Sequence, residues 1–295
     1  MKYRVNAYPK INLHLDVLGK RDDDYHNIET VFQSIALKDV ITMEESDEFS
    51  ISVSDSNIPL NESNTVTKAY SLFKEKFTGK WQEFSIEVQK TIPAGSGMGG
   101  GSADGASLLR FLNSYYDYPY SDAQLISLAE AVGMDVVFLM FGGTAVGEEL
   151  GEKLTFVDNK LPPDLSVIIV FPNIHVSTDW AYSNIKKYLT SKSNSFNIKN
   201  SIENKGISMR SLKGFRNVFE PLVFEYYPRI GRIKDKMAEF KPVKTMMTGT
   251  GSAVFGIFAE QPDINALKRH FSGNVIFETE LLTDEQIKHT FLTTM

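Results

Sequence analysis

The chain has 295 residues, an apolar fraction of 42%, a net charge of −6 and no cysteine. Its length suggests about two domains, and its acidic balance argues against a general nucleic-acid binder, though not against an anionic small molecule. With no cysteine there is no disulfide, thiolate metal site or thiol nucleophile. No apolar run nears the ~18 residues of a membrane span, and the N-terminus alternates and carries charges, unlike a signal peptide. A soluble, cytoplasmic protein is expected, with no membrane or nucleic-acid partner.

In chain order, Ile11, Leu13, Leu15 and Val17 alternate with Asn12, His14 and Asp16, which predicts a half-buried strand. A charged loop over residues 19–25 follows, then strands near 31–37, 40–43 and 49–53. Residues 64–77 read as a helix. Residues 84–92 alternate again, with Phe84, Ile86, Val88 and Lys90 on one face. After a glycine-rich stretch, residues 102–116 fit a helix with Ala106, Leu109, Leu112 and Tyr116 along one stripe. Ser121 and Gln124 have capping-box spacing, and that helix should stop at Gly133. Pro162 and Pro163 suggest a boundary near residues 154–164. Beyond it come an apolar strand at 167–171, a helix from Ser177, and a Ser/Asn/Lys-rich loop at 191–201. A helix through Ile230, Ile233, Met237 and Phe240 leads to a second glycine turn at 248–252. Strands at 253–259 and 275–280 end the pattern. Helices and strands mix without a regular βαβ rhythm, so the fold class is α+β in two domains.

Residues 90–106 read KTIPAGSGMGGGSADGA, with six glycines between Gly95 and Gly105. Glycine lets backbone N–H groups approach a ligand. The start of a helix adds unpaired donors and partial positive charge, and the combination suits a phosphate. Gly95, Gly97 and Gly100 also satisfy G-x-G-x-x-G, but the preceding strand carries Glu87, Gln89 and Lys90, whereas a Rossmann first strand is apolar on both faces. No Gly-Lys-Ser/Thr follows, which excludes a P-loop, and no H-R-D or D-F-G supports a protein kinase. Taken alone, the loop is either an anion site or a tight turn.

Three segments resemble the three motifs of the GHMP small-molecule kinases: AYPKINLHLDVLGKRDDDYH (residues 7–26), PAGSGMGGGSADGA (93–106) and MTGTGSAVFG (247–256). The resemblance implies an N-terminal ATP-binding domain (1–158) and a C-terminal ferredoxin-like domain (159–295), with the active site in the cleft between them. PKINLHLDVLGKR followed by Tyr-His resembles the branch that acts on a cytidine diphosphate-linked methylerythritol. The implied reaction is ATP-dependent phosphorylation of its 2-hydroxyl, in non-mevalonate isoprenoid precursor synthesis. Homoserine or mevalonate kinase activity, or a non-catalytic module of the same fold, are the alternatives.

The resemblance also implies roles. Lys10 would lie beside the reacting hydroxyl. Asp135 would be the base or orienting group, although a carboxylate after Gly133 is equally well placed to cap a helix. Here Val137 replaces the family's proline. The phosphate cradle would run through Pro93, Ala94, Gly95, Ser96, Gly97, Met98, Gly99, Gly100, Gly101, Ser102 and Ala103, with Lys90 and Asn64 near the adenine or ribose. Asn12, Thr250 and Gly251 would meet substrate. Tyr25 and His26 would recognise cytosine, with Tyr182, or its competitor Trp180, on the far face of the base. Asp24 stands where the family has glycine, and aspartate tolerates the left-handed backbone better than most residues. Magnesium accompanies ATP, but no carboxylate cluster marks its ligands.

Overall fold

The computed structural model describes residues 1–189, 206–290 and 292–294, together with Ile198 and Ile202. Most of the 191–201 loop expected from its composition therefore lies outside the described residues. Strands β1 (Lys2–Ala7), β4 (Asp39–Ser46), β6 (Glu83–Gln89), β5 (Ser50–Val53) and β13 (Leu292–Thr294) make a five-stranded sheet in the order β13-β1-β4-β6-β5. Only the β5–β6 pair is parallel in this sheet. Helices α1 (Thr65–Lys76), α2 (Gly100–Tyr115), α3 (Asp122–Val132) and α4 (Met134–Phe141) belong to the same core. Phe84, Ile86 and Val88 of β6 meet Leu109 and Leu112 of α2 there, as their alternation and helical spacing predict.

The helix ends follow local chemistry. Asn64 caps α1 by accepting from the Val66 N–H at 2.8 Å. Gln124 Oε1 accepts from the Ser121 N–H at 3.0 Å to close the α3 capping box, and Gly133 ends the helix.

A second antiparallel sheet runs β2 (Lys10–Lys20), β3 (His26–Ser34), β7 (Thr144–Glu149), β8 (Lys153–Phe156). It lies between the two halves of the molecule. Phe32 and Ala145 face the first core, while Ile11, Leu13 and Val146 pack against Val167, Ile169 and Phe255. β2 corrects the half-buried expectation: it is buried on both faces through Val17. Its register against β3 slips between Asn12 and His14. A bulge of this kind reverses which residues face each side. Ile11 and Leu13 therefore enter one core, and Leu15 and Val17 another.

The third sheet has the order β10 (Lys244–Met247), β11 (Val254–Phe258), β9 (Ser166–Phe171), β12 (Val275–Glu280). Between β9 and β10 lie α5 (Thr178–Asn184), a 3-10 turn (Ile185–Tyr188), α6 (Met209–Gly214), α7 (Glu220–Tyr226) and α8 (Pro228–Glu239). One helix, α9 (Ile264–His270), joins β11 to β12. This is the split β-α-β-β-α-β of a ferredoxin-like unit. Two elements follow that the sequence pattern did not reveal: α10 (Asp284–Thr290) and β13, which pairs with β1. The end of the chain thus completes the first sheet. Among the described residues, no helix is long and apolar enough to cross a membrane.

Candidate active site

Lys10 opens β2, and its side chain is almost fully buried (4% exposed). Its ammonium has three donors and meets three acceptors: Asn12 Oδ1 at 2.8 Å, the Gly97 carbonyl at 3.1 Å and Asp135 Oδ2 at 3.4 Å. The acceptors come from β2, the glycine loop and α4, so three separate stretches of sequence fix one cation. Asp135 is not the helix cap that its position suggested. Gly133 is the cap, and Asp135 lies in the first turn of α4, where the helix dipole favours a carboxylate. Val137 is buried inside that helix, and the turn forms without the proline.

The glycine loop starts α2 two residues earlier than its sequence pattern implied, at Gly100. Gly99, with φ +72°, is the N-cap and offers no side-chain hydrogen bond, so the N–H groups of Gly100, Gly101 and Ser102 lack acceptors within the helix. The loop rests on the second glycine turn. Thr248 Oγ1 lies 3.3 Å from the Gly97 carbonyl, and the Ala253 N–H donates to the Ser96 carbonyl at 3.1 Å.

Two cavities meet at this loop. The larger, about 1260 Å³, is lined by Lys10, Asn12, Asp135, Thr178, Thr250, His26 and Tyr182 among others. The smaller, about 380 Å³, runs from Val53, Ile58 and Pro59 to Lys90 and residues 92–97. Gly97, Gly99 and Ser102 line both. The α2 N-terminus therefore faces both cavities, and the Lys10–Asp135 pair lines the larger one.

In the larger cavity His26 and Tyr182 approach at 5.5 Å between ring centroids. Burial and the nearby Lys20 hold the His26 imidazole below its ordinary pKa, while burial and then the Asp135 charge push the Tyr182 hydroxyl up. Tyr25 stands at the rim, 64% exposed. The adjacent Asp24 takes φ +68° in place of glycine, and its carboxylate meets Lys20 at 2.6 Å. Trp180 turns away from the cavity and packs edge-on against Tyr226 and Tyr227. The two aromatics the sequence left open are thus separated: Tyr182 lines the cavity and Trp180 does not.

In the smaller cavity Lys90 is buried between Asp39, to which it is ion-paired, and Asp104 at 2.5 Å. Burial opposes its charge, but Asp104 and Asp39 together hold its pKa above that of an ordinary lysine. Burial raises the pKa of Asp104, against the opposing pull of the Lys90 charge. Asp104 Oδ1 is buried without a hydrogen-bond partner. Asn64 lines the same cavity while capping α1. Pro93, Ala94, Gly95 and Ser96 form its wall, together with Gly101. Met98 and Ala103 are buried in cores behind the loop, and Met98 contributes its carbonyl to the Lys10 N–H at 3.0 Å. Gly251 lies behind Thr250, against Met247. Sequence reasoning gave no role to Asp39 and Asp104, the partners of Lys90. They come from a different strand and helix, and no local spacing announces them.

Comparison with known proteins accords with this geometry. The family pattern described as GHMP kinases N terminal domain matches residues 64–143, and that of GHMP kinases C terminal matches residues 194–275. The chain is 41% identical over 286 residues to a 4-diphosphocytidyl-2-C-methyl-D-erythritol kinase of Caldicellulosiruptor saccharolyticus, covering 95% of each chain. It is 37% identical to the Bacillus cytotoxicus protein of the same name, over 87% of this chain and 88% of that one. A crystal structure of a 4-(cytidine 5'-diphospho)-2C-methyl-D-erythritol kinase superposes with a TM-score of 0.76 at 27% identity, covering 94% of this chain and 98% of the other. A homoserine kinase from Cytophaga hutchinsonii, at 17% identity and a TM-score of 0.65, shares the fold. With both family patterns matched in order and full-length relatives at this identity, the chain belongs to the GHMP kinase family.

Proposed function

We propose that the protein transfers the γ-phosphoryl group of ATP to the 2-hydroxyl of 4-diphosphocytidyl-2-C-methyl-D-erythritol. The observation that carries this reading is the Lys10–Asp135 pair at the seam of two cavities, with His26 and Tyr182 lining the larger one.

Phosphoryl transfer depends mainly on positioning and charge stabilisation. ATP enters the smaller cavity, its base and ribose near Asn64 and Lys90, and its phosphates on the N–H groups of residues 97–103. The acceptor occupies the larger cavity. Its cytosine stacks on Tyr25 and Tyr182 and is read by His26, while Asn12 and the turn at Thr250 and Gly251 hold the erythritol end. The hydroxyl oxygen forms a bond to the γ-phosphorus as the bond to the β-bridging oxygen breaks, which leaves ADP. Asp135 orients the hydroxyl and takes its proton, and Lys10 faces the charge on the moving group. The nucleotide-binding unit comprises residues 1–158, completed by β13, and the ferredoxin-like unit begins at 159.

Among the described residues, no group of three or more His, Asp or Glu side chains is arranged to hold a metal. The donors present, chiefly the Ser102 hydroxyl, fit a magnesium ion carried in by the triphosphate's own oxygens. Bound there, magnesium would neutralise phosphate charge.

An ADP-release assay over a panel of acceptors tests the proposal. Turnover is expected with the cytidine diphospho-methylerythritol and not with homoserine or mevalonate. A preference for either of the latter would reject the acceptor and keep the kinase.

A further inference from the structure

The reaction above employs Lys10, Asn12 and Asp135, and gives no part to the side chain behind Asn12. Thr30, on β3, is fully buried and lines neither of the two cavities. The direction of each hydrogen bond leading to it is nonetheless determined. An ammonium only donates, so the Asn12 atom 2.8 Å from Lys10 Nζ must be the carboxamide oxygen. The carboxamide nitrogen then donates to Thr30 Oγ1 at 2.8 Å. The single hydroxyl proton of Thr30 goes to the His14 carbonyl at 2.7 Å, which can only accept. The bulge between Asn12 and His14 brings that carbonyl into reach.

Without the Thr30 hydroxyl, the buried carboxamide nitrogen loses its acceptor, and only the contacts on its oxygen still hold the plane of the amide. A turned amide would set NH2 against the ammonium in a buried site, donor against donor. Thr248 cannot substitute for Thr30, because its hydroxyl accepts from the Asn12 backbone N–H at 3.0 Å and lies on the oxygen side of the amide, 3.3 Å from Oδ1.

We infer that Thr30 is a positioning residue for phosphoryl transfer: its hydroxyl orients the Asn12 carboxamide and, through it, holds the Lys10 ammonium at the seam of the two cavities. The inference rests on the kinase reading given above. It names a residue that touches neither ATP nor acceptor.

Thr30→Val removes the hydroxyl at nearly constant shape, and Thr30→Ser retains it. The valine variant is expected to lose about tenfold or more in kcat with both KM values within about twofold of the parent, and serine to restore most of the loss. In an Asn12→Ala background, Thr30→Val should cost nothing further in kcat, since residues acting as a unit are not additive. A valine variant with parental kcat overturns the inference. Equal losses in valine and serine, or the same loss in the Asn12→Ala background, overturn it too.

A second measurement needs no turnover. The Asn12 side-chain NH2 signals, identified in 15N spectra by their loss in Asn12→Asp, should exchange with water at least about tenfold faster in Thr30→Val than in Thr30→Ser. Thr30→Ala serves if valine does not fold. Unchanged exchange overturns the inference. A parent protein that phosphorylates no acceptor would reject the kinase reading, and amide exchange would still decide the role of Thr30.

Discussion

Gly97 and Thr248 touch across the seam between the two glycine turns: a Cβ placed on Gly97 would lie 2.3 Å from the Thr248 carbonyl oxygen and 2.9 Å from that of Gly251. Gly97 also has φ +79°, a backbone conformation that side chains disfavour. Gly97→Ala must therefore separate the turns. It is expected to raise KM for ATP and lower Tm by several degrees. Gly101→Ala should be mild by comparison, because its Cβ would meet only Thr65 Oγ1, at 3.4 Å. Thermal melts and ATP titrations of the pair check this, and equal effects would show that the contact does not matter.

Lys10→Ala and Asp135→Asn should each reduce kcat by about 10²- to 10³-fold, the scale on which loss of one electrostatic contact to the reacting group is felt. Asp135 is partly exposed at the start of α4, so its replacement should leave Tm within a few degrees. Circular dichroism melts beside steady-state kinetics separate the two effects.

Tyr182→Ala should raise KM for the cytidine acceptor by about tenfold or more, since stacking on a base is worth roughly 1–3 kcal/mol. KM for ATP should stay near the parental value. Trp180→Ala should do the reverse of a binding defect: acceptor KM is kept and stability falls, because its ring packs on Tyr226 and Tyr227. If the tryptophan variant loses acceptor affinity and the tyrosine variant does not, the assignment of the stacking ring is wrong.

His14 is 2% exposed, and burial, reinforced by Arg216 and Lys244, lowers its pKa to about 3. The unfolded chain takes up this proton near pH 6.5 and the folded one does not. Stability is therefore complete above about pH 6.5 and falls as the pH drops toward 3, by at most about 1.4 kcal/mol per pH unit from this group. His14→Gln keeps an acceptor for the Arg216 N–H, which His14 Nδ1 now receives at 3.1 Å, but cannot titrate. Urea denaturation between pH 4 and 7 should show a shallower pH slope in the variant, and identical slopes would exclude His14 as the source.

Much of this arrangement was legible in the sequence because it is local. The capping box at Ser121 needs only Gln124 three residues on, and the glycine loop announces its backbone freedom directly. The resemblance to the GHMP kinases brought Lys10 and Asp135 together on paper, 125 residues apart, where periodicity alone had no means to do so. What escaped is what depends on partners distant in the chain. The alternation of β2 looked like one wet face and one dry face. A bulge and two opposing cores make both faces dry, and neither is encoded within the strand. The ion pairs of Lys90 escaped as well. Its charge is already matched by Asp39, from a neighbouring strand, and by Asp104, from α2. Asp135 looked like a cap because capping is the commoner use of a carboxylate beside a helix start, and Gly133 took that place.

The pairing of β13 with β1 joins two stretches far apart in the chain along one sheet edge. Without β13 the outer edge of β1 would present unpaired N–H and C=O groups, a template for association with other chains. Deleting residues 292–294 should consequently favour self-association, which light scattering of the purified variant would reveal.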